Sequence, residues 1–363
     1  MSEGGHRARP EGARRARRER PRRLRRDCPA GEGRARELSA DAAELERVFL
    51  HQAEQCERSG SPLYADLCRR LATEPAAHDV LEDARWDRPL QLLGGLHYLS
   101  LTEGVDPWRQ PVPVLEQRRD WLRRFVRKQG VQTNEVRRSW VLLPCFLEIA
   151  RRTGVETFDL IELGSSAGLN LVWDRYRYRY EHGDWGPGRA ELLLTGEERR
   201  PVPLRLLELQ PTVRQRRGID IAPLDLTRPG DTMLLQSFVW ADQHERLERL
   251  DRAVATLRSA PPTLEQGDMV ERLPELLADR LPGALTVVFQ TAVRGYVPQD
   301  DWKRMLAAMD EAGRRFPLAF VSSSRPAAGE HSFWGLWLRL WPGGEKRLLA
   351  HAGFHGQWLE WLQ

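Results

Sequence analysis

Apolar residues along the chain change their period near residue 155. Ser39 is followed by Ala42, Leu45, Val48 and Phe49 at three- and four-residue steps, the pattern of a capped amphipathic helix. Further helical stretches are predicted at 63–71, 89–101, 114–129 and 134–152. Pro and Gly signals at 60–62, 74–75, 104–107 and 130 separate them. Residues 41–155 therefore read as an all-helical lobe. Beyond it, short β-type runs at 158–163, 218–222, 263–266, 285–290 and 318–322 alternate with helical ones at 167–176, 244–258, 269–280 and 300–314. Such alternation predicts a parallel sheet with crossover helices. The runs 334–341 and 345–351, joined by Pro342-Gly343-Gly344, predict a closing antiparallel hairpin.

Charge changes this picture only at the amino end. The total of +4 hides a split, because residues 1–26 hold 11 Arg against three Glu while the remaining 45 basic and 49 acidic residues leave the body at −4. Residues 1–40 carry almost no large apolar side chains, so they read as a disordered, solvated tail. With no aromatic residue interleaved and an acidic body, a nucleic-acid partner is not expected. Three Lys against 53 Arg, and only two Asn, reflect a GC-rich coding bias rather than selection for guanidinium chemistry. Cys28, Cys56, Cys68 and Cys145 form no C-x-x-C pair and no zinc spacing. No run reaches the ~18 apolar residues of a spanning helix, and no apolar core follows the Arg pairs as in a secretory signal. Free thiols, no membrane and a cytoplasmic location are the expectations.

The sharpest motif is Asp159-Leu-Ile-Glu162-Leu-Gly164-Ser165-Ser166-Ala167-Gly168-Leu-Asn170. An apolar strand runs into a small-residue turn and then into a helix, whose first N–H groups would be free for a ligand. A P-loop would need Gly-Lys-Ser/Thr, and a dinucleotide loop would prefer G-x-G-x-x-G. Neither is present. The string resembles the S-adenosylmethionine loop of class I methyltransferases, with Ser166 in place of the middle glycine. Two later strings resemble the same fold in the right order. Gly218-Ile-Asp220-Ile-Ala-Pro223 is similar to the end of its second strand, whose acid takes the ribose hydroxyls, and Gly267-Asp268 to the turn after its third, whose Asp reads the adenine amino group. Asp220 lies 56 positions after Gly164, where about 20 are usual. An inserted β-hairpin at about 178–209 accounts for the excess, and Asp225 and Glu208 remain rival ribose acids.

Over residues 45–362 the chain also resembles the largely actinobacterial family known as domain of unknown function 2332. The strings that carry this are Ser61-Pro-Leu-Tyr64, Leu92-Leu-Gly-Gly-Leu-His97, Val131-Gln-Thr-Asn-Glu135, the glycine loop, Ala222-Pro-Leu-Asp225, Ser237-Phe-Val-Trp240 and Trp341-Pro-Gly-Gly344. That resemblance implies a family and no activity.

The expected architecture is thus α/β: a Rossmann-like class I methyltransferase fold over 156–363, preceded by the helical lobe as a cap. The resemblance implies S-adenosylmethionine as cofactor, held by Glu162, Gly164, Ser165, Ser166, Gly168, Asn170, Asp220 and Asp268. The acceptor would sit beyond the fourth strand, where Gln290 and Tyr296 are the polar groups nearest the chemistry; Tyr296 packing under the sheet is the structural alternative. The Asn/Asp-Pro-Pro-Tyr string that grips base or amide nitrogens is absent there, which favours a small-molecule acceptor. Asn134 and Glu135 head a predicted helix, as cap or as substrate contacts. His97 and Cys145 read as core, and His351 and His355, lacking a neighbouring carboxylate in the sequence, define no metal site. The functional expectation is a methyltransferase acting on a small molecule. The alternative is a nucleoside-binding sensor or scaffold without transfer activity.

Overall fold

The computed structural model describes residues 30–82, 88–325 and 333–363, with side chains from residue 41 onward. The expected tail lies, up to residue 29, outside the described residues. From Ala30 the chain is already helical, so the tail boundary at residue 40 is corrected; the Ala, Arg and Glu of residues 30–38 are strong helix formers. Residues 45–363 form one compact unit.

Seven helices come first: α1 (Ala30–Arg58), α2 (Pro62–Leu71), α3 (Pro75–Leu81), α4 (Arg88–Glu103), α5 (Pro111–Gln117), α6 (Arg119–Lys128) and α7 (Arg138–Thr153). Proline opens α2, α3 and α5, where its missing N–H costs nothing. The single helix expected over 114–129 is two, because Arg118 leaves the helical conformation (φ −113°). Gly154, with φ 66°, takes the left-handed position that ends α7.

The sheet then begins with β1 (Thr157–Leu163), followed after the glycine loop by a 3-10 helix (Leu169–Arg175) rather than the expected α-helix. Residues 169–173 are all buried, which an amphipathic helix with one apolar face cannot achieve. The insertion carries β2 (Arg177–Tyr180), β3 (Gly183–Trp185) and β4 (Leu193–Leu194) as a small separate sheet, then β5 (Glu197–Arg200) and the single turn α8 (Leu204–Leu207). In β2, Tyr178 and Tyr180 are buried while Arg179 points to solvent and pairs with Asp184. The rest of the chain is β6 (Thr212–Asp220), α9 (Pro229–Ser237), α10 (His244–Ser259), β7 (Thr263–Gln266), α11 (Met269–Ala278), β8 (Leu285–Gln290), α12 (Gln299–Gly313), β9 (Leu318–Ser324), β10 (Phe333–Trp341), β11 (Glu345–Gly353) and β12 (Trp358–Trp361).

Nine strands make the main sheet, in the order β5-β12-β11-β10-β9-β8-β1-β6-β7. The five parallel strands β7, β6, β1, β8 and β9 stand in the third-second-first-fourth-fifth order of a doubly wound fold. The antiparallel pair β10–β11 follows directly on β9. This is a Rossmann-like architecture: a mostly parallel sheet with a carboxyl-terminal antiparallel hairpin, preceded by a helical lobe. β12 and β5 extend it at the edge, where β5 comes from the insertion.

Side-chain alternation along the strands divides the core. Phe158 and Leu160 of β1 face a large apolar cluster shared with α7, α10 and the helical lobe. Ile161 and Leu163 face a smaller one with α11 and α12. The helical lobe therefore shares a core with the sheet and has no separate one. His97, buried on α4, lies 3.3 Å from the Ser237 carbonyl, and Cys145 is buried on α7; both are core residues.

Candidate functional site at the carboxyl edge of the sheet

The strand order reverses between β1 and β8, and such a switch point opens a crevice at the carboxyl ends of the strands. The glycine loop 164–168 sits there. Its backbone is pinned to β6 and to itself: the Gly164 and Ser165 amides donate to the Ile219 carbonyl of β6 at 2.8 and 3.1 Å, and Gly168 donates to the Ser165 carbonyl at 2.7 Å. Three residues of the loop have positive φ, Gly164 at 67°, Ser166 at 51° and Gly168 at 77°. At Gly164 a methyl group would overlap Val293, which follows β8 and covers the loop. Across the sheet, Gly218 leaves room for Ser165.

Asp220 ends β6 beside this loop because β6 pairs in parallel with β1, Leu163 opposite Ile219. Its carboxylate accepts the Ser166 amide at 2.8 Å and the Ala222 amide at 2.9 Å. Of the rival acids, Asp225 is also near the loop, since it follows Leu224, whose amide donates to the Ser166 carbonyl at 3.2 Å. Glu208 precedes the amino end of β6, at the opposite edge of the sheet. Asp225 accepts from Thr227 at 2.6 Å and pairs with Arg228 at 3.1 Å. Asp268 ends the β7 turn as the cap of α11, accepting the Val270 amide at 2.7 Å.

Glu162 and Asn170 are buried behind the loop. Asn170 accepts the Ser139 hydroxyl at 2.8 Å. Glu162 Oε2, Asn170 Nδ2 and Ser165 Oγ are buried without hydrogen-bond partners, and unsatisfied buried polar atoms ask for an explanation such as a ligand. Burial drives the Glu162 carboxyl well above the usual carboxylate range; the Asn170 amide and Arg138 offset this in part, and Asp220 adds to it.

The expected helix over 134–152 starts four residues late, so Asn134 does not cap it. Asn134 instead straps the glycine loop: its carbonyl oxygen accepts the Leu169 amide at 2.9 Å and its amide donates to the Ser165 carbonyl at 3.3 Å. Two residues earlier, Gln132 accepts the Ser166 hydroxyl at 2.5 Å and donates to the Ala222 carbonyl at 3.3 Å. The segment ahead of α7 thus lies on the crevice. Glu135 anchors it to α10 through Arg246 at 2.9 Å and Arg249 at 3.8 Å. Burial opposes that charge, but Arg246, His355 and Arg249 hold the carboxyl down to about 2.

Gln290, fully buried, donates to the Ser323 carbonyl at 2.8 Å and accepts the Val293 amide at 3.1 Å. Its amide oxygen thus holds the turn that covers Gly164, and its amide nitrogen ties that turn to β9. Tyr296 is 70% exposed rather than packed under the sheet. His351 meets Glu360, opposite it on β12, at 3.1 Å, a carboxylate partner that sequence distance concealed. Among the described residues no group of three metal-ligating side chains occurs, and no helix is long and apolar enough to cross a membrane.

Val293, Gln132 and Ser139 went unread in the sequence. Gln132 lies within the 131–135 string without a role legible there, Val293 and Ser139 belong to no motif, and each reaches the loop region from another element.

The strand order, the loop and the acid beside it define a Rossmann-like domain. Residues 46–361 match the family described as "Uncharacterized protein conserved in bacteria (DUF2332)", and the chain belongs to that family. Among curated proteins none matches. Among solved structures the chain is similar to an S-adenosylmethionine-dependent methyltransferase from Clostridium acetobutylicum ATCC 824. The two share 9% identity over 65% of this chain and 74% of that one, with a TM-score of 0.22.

Proposed function

We propose that the protein binds S-adenosylmethionine at the carboxyl edge of the sheet and transfers its methyl group to a small molecule. The observation that carries this reading is Asp220 at the end of the second parallel strand, hydrogen-bonded to the glycine loop at Ser166. The same contact argues against a phosphate-bearing nucleotide. The backbone amides that would cradle a pyrophosphate already serve the Ile219 carbonyl, the Asp220 carboxylate and Asn134, and a fixed carboxylate there would repel an anion. A neutral ribose and a zwitterionic amino acid with a sulfonium, net positive, meet no such obstacle.

S-adenosylmethionine supplies an electrophilic methyl group, so the protein's task is chiefly to orient the acceptor and exclude water. In this reading Asp220 takes the ribose diol, with Ile221, 71% exposed beside it, as an apolar surface for the base. Asp268 stands at the adenine end. Glu162, Ser165 and Asn170, whose buried polar atoms lack partners, form the polar wall toward the amino-acid end. Gln290 acts by holding the turn 291–296, and Tyr296 offers a phenol on the acceptor side. Gln132, Asn134 and Glu135 close the crevice from above, and the acceptor would pass this segment.

A second reading, a nucleoside-binding sensor without transfer, is favoured by one feature: both ends of the Gln290 amide are already hydrogen-bonded. Isothermal titration with S-adenosylmethionine, S-adenosylhomocysteine and NAD tests the proposal. Saturable binding of the first two and none of NAD is expected. Binding of NAD alone, or of none of the three, overturns it. Nucleoside binding without methyl transfer to any of a panel of hydroxyl, amine and carboxylate acceptors would favour the sensor.

A further inference from the structure

On the α12 face of the sheet, past the turn that covers Gly164, lies a second cavity of about 200 Å³. Three rings, Trp302, Phe320 and Trp337, and three cations, Arg294, Arg339 and Lys346, line it, with no carboxylate among the lining residues. Its charges are poorly compensated. Arg339 and Lys346 stand directly opposite one another on β10 and β11, a cross-strand placement in which like charges destabilise a sheet. Asp310 answers Arg339 at 3.6 Å. Among the described residues Lys346 pairs with no carboxylate and lies over the Trp337 ring, 3.9 Å from its centroid; desolvation and Arg339 hold its ammonium below the usual lysine range. Arg294 donates to neutral groups, the Val297 carbonyl at 2.9 Å and the Gln299 side chain, and lies over Trp302.

Size narrows the occupant. An apolar cavity of ~150 Å³ accepts a benzene ring, so this one has room for one ring and one small charged group. Trp and Phe walls suit the faces and edges of a planar ring. An anion between Lys346, Arg339 and Arg294 would relieve their repulsion and form charge-assisted hydrogen bonds.

We infer that this cavity is a binding site for a single aromatic ring bearing a carboxylate. The inference goes beyond the transferase reading and does not require it. The two sites adjoin through the dipeptide Val293-Arg294, whose first residue covers Gly164 and whose second lines the cavity. A ligand here therefore lies next to the turn that covers the glycine loop.

Benzoate is the probe. Titrated calorimetrically into the full-length protein, without any nucleoside present, it should bind saturably. Benzyl alcohol (the same ring, uncharged) and inorganic phosphate should each bind at least about tenfold more weakly. Arg294→Gln and Lys346→Gln should each weaken benzoate about tenfold, with thermal unfolding showing that both variants are folded. Ser322→Leu, which fills the cavity from β9 without altering a charge, should abolish binding. The inference is overturned if benzoate fails to bind at millimolar concentration, if benzyl alcohol or phosphate binds equally well, or if neither charge variant changes the affinity. Benzoate binding by a protein that ignores S-adenosylhomocysteine would sink the transferase reading and leave this site standing.

Discussion

Asp220 accepts the backbone amide of Ser166 at 2.8 Å across the ends of two neighbouring strands. The contact ties the acid of β6 to a loop whose Ser166 has φ 51°, a conformation that L residues seldom adopt. A residue 56 positions after Gly164, beyond the inserted hairpin, is thereby made part of the loop.

Asp220→Ala should weaken S-adenosylhomocysteine binding by roughly 1.5–3 kcal/mol, the scale of hydrogen bonds to a charged group. Thermal unfolding should fall by a few degrees, since the Ser166 and Ala222 amides lose their acceptor. Asp225→Ala removes only bonds within an exposed turn and should leave affinity unchanged. Titration of both variants decides; the reverse ranking would assign the ribose to Asp225.

Glu162 gives the binding a pH dependence. Burial, opposed by Asn170 and Arg138 and reinforced by Asp220, raises its carboxyl and favours the protonated form. A cationic amino group arriving beside it favours the carboxylate, so binding should expel a proton and tighten as pH rises. Calorimetry in buffers of different ionisation enthalpy should report that release, and Glu162→Gln should remove it. Identical enthalpies in all buffers would exclude Glu162 from the site.

Glu135 should make the fold sensitive to acid. Its carboxyl falls from the ordinary 4.5 to about 2, which corresponds to roughly 3 kcal/mol of stability. Because the folded-state value is the lower one, this stability is complete above the unfolded value. It drains away as pH falls from about 4.5 through about 2. His355, held near 4 by desolvation and by Arg246, Arg138 and Arg137 against the pull of Glu135, acts in the same direction from 6.5 downward, since the unfolded chain takes the proton first. Glu135→Gln should therefore destabilise strongly at pH 7 and little at pH 2, as urea unfolding at the two values would reveal.

Gly164→Ala should cost roughly 2–4 kcal/mol, combining the left-handed backbone penalty with overpacking against Val293. Gly104 has φ 69° but open space around it, so Gly104→Ala should carry only the backbone part, ~1–2 kcal/mol. In a double-mutant cycle, Val293→Ala should recover part of the Gly164→Ala loss. Additive effects would mean that Val293 does not cover the loop.

Much of this protein is legible in its sequence because the signals are local. The strands β1, β8 and β9 are short, largely apolar runs between turn residues, and β1, buried on both faces, needs no partner to be recognised. The glycine loop follows from its small residues, two of them glycines at left-handed turns, and Asp220 from its place at the end of an apolar strand just ahead of a proline. The 3-10 helix after the loop was set by packing, which overrides local preference when every side of a segment is buried; β5 and β12 pair with each other from places distant in sequence. The strap at Asn134 and Gln132, the cover by Val293 and the facing cations Arg339 and Lys346 are contacts between elements distant in sequence. Periodicity and spacing record what a residue does to its own neighbours along the chain. Which side chain from another element reaches the glycine loop depends on the register of strands and the docking of helices, and these exist only once the core has closed.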